Sequence, residues 1–415
     1  MARRIVADYP LVLTALALSL LGSAMVYSAG RTDVPTYVAG LYKPQIVWVI
    51  LGLLTAYGIT RTSVRLIQWL TVPAYALSLF LLALTLVIGT GAGTAAGTKS
   101  WLAIGGVRIG QPAELAKITV VLMLAQVLAA RRESPSSLLD LWKPAIIVAV
   151  PWLMIMAQPD LGSGIAFIGI FFAMLYWSGV AWPLLLLLAS PAISLVLSFS
   201  TGLWGAWFLV LLALVLYYRP FLVEGIVLML ANVATGVVAP VLWEKLKPYQ
   251  QNRLRVFIDP SFDPRASGYQ VIQSKISIGS GGFFGKGFTE GTQKRLAFLP
   301  AQHTDFIFAV LGEELGFIGV MFTLTLLTVL LLRATKIAAR ANDAFGGLVA
   351  FGLMASWMVH IIVNVGMTLN LMPITGIPLP FFSYGGSFML ATWLAVGILL
   401  RISGEGRGRG GARVN

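Results

Sequence analysis

The repeated run of about twenty apolar residues constrains this chain most, because that is the length an α-helix needs to cross the hydrocarbon core of a bilayer. Read in windows that tolerate small residues and an occasional proline, the sequence predicts helices near 10–28, 44–60, 66–89, 112–130, 143–158, 161–179, 182–199, 202–218, 221–243, 305–333, 346–371 and 386–401. Twelve spans result, of which the three between Trp182 and Trp243 are the least regular, since Pro191 and Gly236 interrupt the apolar run. The expected architecture is an all-α polytopic membrane bundle with no soluble domain. The first run follows Arg3-Arg4 and ends near small residues, as a signal peptide does, but with so many spans behind it an uncleaved first helix is expected.

Charge gives the sidedness. Only 11% of residues are charged and mean hydropathy is +0.86, yet the net charge is +13. The basic residues sit in short loops between apolar runs, where they set topology and meet anionic lipid, and no nucleic-acid partner is expected. With the N-terminus inside, Arg3-Arg4, Arg61, Arg65, Arg131-Arg132, Arg219, the Arg333/Lys336/Arg340 loop and the tail from Arg401 to Arg413 all fall on the cytoplasmic side. The other face receives 29–43, 90–111, the turn at Gln158-Pro-Asp160, a large loop over 244–304 and the loop 372–385. The Gly/Arg tail 404–415 lacks apolar content and is expected to be disordered. The chain has no cysteine and two histidines, which excludes disulfides, thiolate chemistry and Cys-ligated metals, and leaves carboxylates, Lys/Arg and backbone to do any chemistry.

The 244–304 loop is the long polar stretch of the chain. Asp259 and Asp263, four apart, each precede a proline, which keeps them off a helix face. Either serves as a general base or a divalent-cation ligand, or makes only a turn, the reading that spacing alone favours. Arg253, Arg255 and Arg265 stand nearby. The run Ser280-Gly-Gly-Phe-Phe-Gly-Lys-Gly287, with Lys275, Lys286 and Lys294 around it, suits either an anion cradle or a flexible connection, and it is not a P-loop. Within the apolar segments, Glu114 and Lys117 share a helix face at i, i+3, and Glu224 stands alone; such ions mark a site or a polar path, or lock helices together. Asp160 at the outer end of a span faces the loop region or caps a helix. Thr304 or Asp305 is the expected N-cap of the helix that carries Glu313-Glu314, and His360 reads as hydrogen-bonded core. Three prolines among 372–387 forbid a regular helix there and suggest a rigid, partly re-entrant loop.

At these residues the sequence resembles the SEDS family (shape, elongation, division and sporulation), its RodA-like elongation branch more than its FtsW-like division branch. The resemblance rests on Gln158-Pro-Asp-Leu-Gly162, Asp263-Pro with Gly268-Tyr-Gln270, Gln273-Ser274-Lys275-Ile, Ile278-Gly-Ser-Gly-Gly282, Gly291-Thr-Gln293, His303-Thr304-Asp305-Phe-Ile-Phe308, Glu313-Glu-Leu-Gly316 and Pro373-Ile-Thr-Gly-Ile-Pro-Leu-Pro-Phe-Phe-Ser383-Tyr-Gly-Gly-Ser387. It covers nearly the whole chain but departs between Trp182 and Trp243, where it implies one span and this chain has three, an insertion of two helices. The resemblance implies a peptidoglycan glycosyltransferase that polymerises lipid II at the outer face of the bacterial cytoplasmic membrane and releases undecaprenyl pyrophosphate. It also implies a class B penicillin-binding protein and elongasome membrane proteins as partners. Asp263 matches the family's essential loop aspartate. Glu114, Lys117, Asp160, Arg253, Arg255, Gln273, Ser274, Lys275, His303, Thr304, Asp305 and Ser383 are the expected substrate and pyrophosphate contacts. No soluble cofactor is required; a Mg2+ or Mn2+ ion on Asp263 or Asp160 is an open alternative. The competing function is a lipid II flippase, with Glu114, Lys117 and Glu224 lining its path.

Overall fold

The computed structural model describes residues 8–33, 36–91, 99–104, 107–131, 133–246, 248–259, 262 and 267–410. Twelve apolar helices form the bundle: α1 Tyr9–Ala29, α2 Tyr42–Thr60, α3 Val64–Ile88, α4 Pro112–Ala129, α5 Trp142–Ala157, α6 Leu161–Trp177, α7 Trp182–Leu197, α8 Thr201–Tyr218, α9 Leu222–Lys245, α13 Ile307–Ala339, α14 Ala344–Thr368 and α15 Gly386–Gly410. Between α9 and α13 lie α10 Pro248–Ile258, α11 Ser267–Gly281 and the single turn α12 Thr292–Arg295. Among the described residues ten helices are long and apolar enough to cross a membrane, and the shorter apolar α6 and α7 complete the twelve the sequence predicts. The 90–111 segment, read as loop, contains an antiparallel hairpin, β1 Leu102–Ile104 with β2 Val107–Gly110.

Helix ends follow from local chemistry. Asp8 accepts Leu11 N at 3.2 Å to cap α1 and also receives Arg333 in a two-pronged contact at 2.6–3.1 Å, joining α1 to α13. Asp343 caps α14 by accepting Gly346 N at 2.7 Å. In a bundle without a hydrophobic drive between helices, close approach depends on small residues. Gly52 and Gly397 let α2 and α15 touch, since a Cβ there would meet Trp393 or the Ala56 backbone within 3 Å. On the bundle's margin, α7, α8 and α9 are joined by polar contacts: Asn232 donates to Ser190 Oγ at 2.8 Å and accepts from Ser194 Oγ at 2.5 Å, and the Trp207 indole donates to Ser194.

Two expectations are corrected. First, neither Thr304 nor Asp305 caps α13: turns run from 301 to 306, the helix opens at Ile307, and Phe306 occupies the cap without a side-chain bond. Asp305 instead turns toward the loop after α14, with its carboxylate near Gly376. Second, residues 404–410 continue α15 as helix. Arg401 binds Glu405 at 2.5 Å one turn on, and Asn342 donates to the Glu405 carbonyl, so the tail is held past Gly404. Residues 411–415 lie outside the described residues.

α13 is too long for one crossing, at 33 residues or about 50 Å of helix, and it breaks at Gly316 (φ 61°, ψ −161°). The piece before the break carries Glu313 and Glu314, both fully buried. The glycine-rich run seats on this break: Phe317 N and Ile318 N donate to Gly282 and Phe283 carbonyls, and Lys286 N and Gly287 N donate to those of Glu313 and Glu314. A Cβ on Gly285 would lie 2.1 Å from the Glu314 carbonyl oxygen. Lys286 meets Glu313 Oε1 at 2.8 Å. Lys294 spends its three donors on Glu314 Oε1 at 2.7 Å, Ser28 O at 2.8 Å and Ser28 Oγ at 2.6 Å. Burial pulls the Lys294 ammonium below its ordinary range, and the Glu314 carboxylate opposes that. The connection reading of the glycine run thus fits the geometry better than an anion cradle. Removing one charge of the Lys294–Glu314 pair leaves the other buried and uncompensated, so Lys294→Met or Glu314→Gln should each lower stability by about 3–5 kcal/mol, and Lys294→Met with Glu314→Leu should lower it less. Melting in detergent checks this; unchanged melting of the single variants would contradict it.

Candidate functional site: a buried polar cluster under a re-entrant loop

The loop 372–385 dips into one end of the bundle. Leu379, Phe381, Phe382 and Ser383 are fully buried, and a Cβ on Gly22 of α1 would meet the Phe382 backbone at 2.5 Å. Phe381 holds φ +63°, outside the ordinary range of a bulky residue, between the rings of Trp357 and Trp393. Backbone strain of this kind persists only where packing over-determines it.

Around this loop the structure gathers many of the expected site residues. Ser383 Oγ donates to Thr304 O at 2.7 Å and accepts Leu379 N at 2.8 Å, while Gln45 of α2 donates to Ser383 O. Asn364 on α14 donates to Asp305 O at 3.0 Å and Ile377 O at 2.7 Å. Asp305 is nearly buried and its carboxylate lies against Gly376, where a Cβ would stand 3.5 Å from Oδ2. His303 is buried between Tyr37 and Tyr384, with ring centroids at 5.6 and 5.8 Å. Burial pulls its imidazole down to about 4, and its Nδ1 has no hydrogen-bond partner.

Beneath the loop, Lys117 carries the charge of the site. Its Nζ is 2.8 Å from Glu114 Oε2 and 2.7 Å from His360 Nε2, and all three side chains are buried. His360 Nδ1 is 3.0 Å from the Pro378 carbonyl. A carbonyl only accepts, so Nδ1 carries the proton and Nε2 receives the Lys117 N–H. The imidazole stacks on Phe388, centroids 5.0 Å apart, and Lys117 Nζ lies 5.7 Å from the same ring. A cavity of about 20 Å³ opens beside Glu114 and Lys117, lined also by Ser356, Trp357 and Thr392; it is large enough for one water.

Asp160 borders this cluster as the N-cap of α6, and both its oxygens are engaged: Ser163 N at 3.0 Å on one, Ser163 Oγ at 2.9 Å and Gln111 Nε2 at 2.8 Å on the other. A Cβ on Gly162 would meet Thr375 O and Ile377 at 2.9 Å, so Gln158-Pro-Asp-Leu-Gly162 and the re-entrant loop touch. Among the described residues no three carboxylates or histidines gather to hold a metal, and the Asp160 carboxylate already accepts three hydrogen bonds.

The remaining expected contacts lie on the polar segment. Asp263 and Arg265 are outside the described residues. Arg253 lies on α10. Arg255, exposed on the same helix, covers the rings of Trp243 and Phe262 at 5.6 and 5.3 Å, and Asp259 ends that helix in a turn, with its carbonyl accepting Phe262 N. On α11, Lys275 is exposed, Ser274 is buried and donates to Thr368 O at 2.8 Å, and Gln273 Oε1 is buried without a partner. None of these polar contacts links Arg255 or Lys275 to the buried cluster. Glu224, read as part of a path with Lys117, instead accepts Leu139 N at 3.0 Å in the turn before α5. Lys117 lies in the second turn of α4, twelve residues or about 18 Å of helix before its C-terminal Ala129, and the turn that holds Glu224 comes only after that end.

Sequence reasoning left His360 and Asn364 out of the site. A signal was present: His360, Asn364 and Thr368 recur every four residues and form a polar stripe on one face of an otherwise apolar helix.

This arrangement defines a multi-pass helical membrane protein whose ionisable groups are concentrated under a re-entrant loop at one end of the bundle. The family model of the cell cycle proteins FtsW, RodA and SpoVE matches residues 9–207 and 204–408, breaking within α8. Peptidoglycan glycosyltransferase RodA of Treponema pallidum (strain Nichols) is 34% identical over 427 residues, covering 95% of this chain and 97% of that one. Peptidoglycan glycosyltransferase MrdB of Escherichia coli (strain K12) is 35% identical over 398 residues, covering 95% and 93%. A chain from a solved peptidoglycan synthase complex, described as coordinating polymerization and crosslinking, superimposes with a TM-score of 0.70 at 31% identity, covering 96% of this chain and 98% of that one. The protein belongs to the FtsW/RodA/SpoVE family, the SEDS proteins.

The low affinity of His303 for a proton has a thermodynamic consequence. An unfolded histidine takes a proton near pH 6.5, while His303 in the folded chain takes it only near 4. Between these values the unfolded state binds more protons, so stability falls with falling pH, by about 1.4 kcal/mol per unit for this group. Melting in detergent at pH 7 and pH 5 should show a drop that is smaller in His303→Gln; equal slopes would contradict the assignment.

Proposed function

We propose that the protein polymerises lipid II into glycan strands at the outer face of the cytoplasmic membrane during cell elongation, releasing undecaprenyl pyrophosphate. The observation that carries this reading is the buried, paired Lys117 ammonium under the re-entrant loop, within a chain closely related to named peptidoglycan glycosyltransferases. A positive charge held out of water is worth far more to a departing pyrophosphate than one in solvent, and it needs no reorganisation when the bond breaks.

In this mechanism the 4-hydroxyl of an acceptor GlcNAc attacks the anomeric carbon of a MurNAc whose leaving group is undecaprenyl pyrophosphate. The new glycosidic C–O bond forms as the C–O bond to phosphate breaks, with inversion. Asp263 takes the hydroxyl proton. Lys117 meets the leaving pyrophosphate from within the bundle, and Arg253, Arg255 and Lys275 meet it from α10 and α11. Glu114 holds Lys117 in place. A divalent cation on Asp263 or Asp160 would contribute further positive charge, and no step depends on one. The donor carries its own leaving group, so no nucleotide-sugar domain is needed.

The cytoplasmic placement of both termini is supported by the basic short loops and by an even number of apolar helices. A class B penicillin-binding protein is the expected partner, supported by the likeness to a synthase complex that couples polymerization to crosslinking; elongasome membrane proteins complete the assembly. The single domain spans 1–403, with an added pair of helices within 182–243. The flippase reading is weakened by the partners of its proposed path: among the described residues Glu224 bonds the turn before α5, while Lys117 pairs with Glu114 and His360.

The test is polymerisation of purified lipid II in detergent by wild type and Asp263→Asn, each with its cognate transpeptidase and with divalent cation present or chelated. Strands are expected from wild type, with at least about a hundredfold loss in the variant. Equal polymer from both would remove Asp263 as the base, and none from a folded wild-type complex would favour transport.

A further inference from the structure

We propose that His360 is a positioning residue, which fixes the Lys117 ammonium together with Glu114 and ties it to the seating of the re-entrant loop. This rests on the reading of Lys117 as the group that meets the pyrophosphate.

The geometry leaves His360 little freedom. Its Nδ1–H donates to Pro378 O at 3.0 Å and its Nε2 accepts from Lys117 at 2.7 Å, so the loop carbonyl selects the tautomer that can receive the lysine. The ring plane is set by Phe388, stacked 20° from parallel at 5.0 Å. One turn along α14, Asn364 binds the Ile377 carbonyl at 2.7 Å, so the same helix face grips consecutive loop residues. A lysine ammonium has three donors on a flexible stem; Glu114 and His360 direct two of them, which aims the third. If the loop lifts, Pro378 no longer holds the Nδ1–H tautomer, and Lys117 loses a fixed acceptor. Loop seating and charge placement are therefore one event. The chain needs at this position a side chain that both donates and accepts, which glutamine also provides and leucine does not.

The experiment compares wild type, His360→Gln and His360→Leu in lipid II polymerisation, alongside the imidazole 15N spectrum of labelled protein. The chain has two histidines, so the signal lost in His360→Gln is that of His360. The expected results are a fall in kcat of about tenfold or more in His360→Leu with KM little changed, recovery of most activity in His360→Gln, and an Nδ1–H neutral imidazole whose signals shift in Lys117→Met. Full activity in His360→Leu, a loss carried by KM alone, or an Nε2–H tautomer insensitive to Lys117→Met would overturn the proposal. Should wild type fail to polymerise lipid II, the glycosyltransferase reading falls, while the spectrum still decides whether His360 holds Lys117.

Discussion

A lysine ammonium cannot stay charged inside an apolar bundle unless its partners replace the water it has lost. In this protein Glu114 supplies the opposite charge, His360 an acceptor and Phe388 a ring face. Those partners come from three helices, and His360 in turn needs the Pro378 carbonyl to hold its proton. The position of the loop after α14 is thus bound up with the electrostatics of the interior. Ser383, Asn364 and Gln45 hydrogen-bond the same loop to the turn before α13 and to α2, so many of the elements at this end of the bundle converge on one charge.

The same rule organises the other side of the site. Glu313 and Glu314 are buried in the short piece of α13 before its break, and each is met by a lysine of the glycine-rich segment. In the sequence those lysines suited either an anion cradle or the surroundings of a flexible connection. The structure engages them with the two buried glutamates of α13 and leaves Arg255 and Lys275 exposed. Buried and exposed cations then play different parts. The buried one is held in place by its partners, and the exposed ones stand open at the surface.

The spans were legible because about twenty apolar residues in a row have few other uses, and all twelve predicted helices are present. The pairing of Glu114 with Lys117 was legible because i, i+3 spacing fixes it locally. Long-range partners were not: nothing in the local sequence says that His360, 243 residues beyond Lys117, will meet it, or that Ser28 will share its hydroxyl between Glu314 and Lys294. Capping was misread at Thr304 and Asp305 because tertiary contacts outrank a local preference; the Thr304 and Asp305 carbonyls are taken by Ser383 and Asn364, and the helix starts later. The glycine run was ambiguous for a related reason. Glycine permits close approach of backbone, and only the fold tells whether a ligand or a broken helix does the approaching.

The central claim is that the buried Lys117 ammonium is the interior partner of the pyrophosphate. Its most direct test is equilibrium binding of undecaprenyl pyrophosphate to the purified protein in detergent, wild type against Lys117→Met, with circular dichroism to confirm that both are folded. Loss of a buried charge partner predicts binding weaker by about tenfold or more, since each factor of ten corresponds to about 1.4 kcal/mol. Equal affinity in two well-folded proteins would contradict the claim and reduce the cluster to a helix lock.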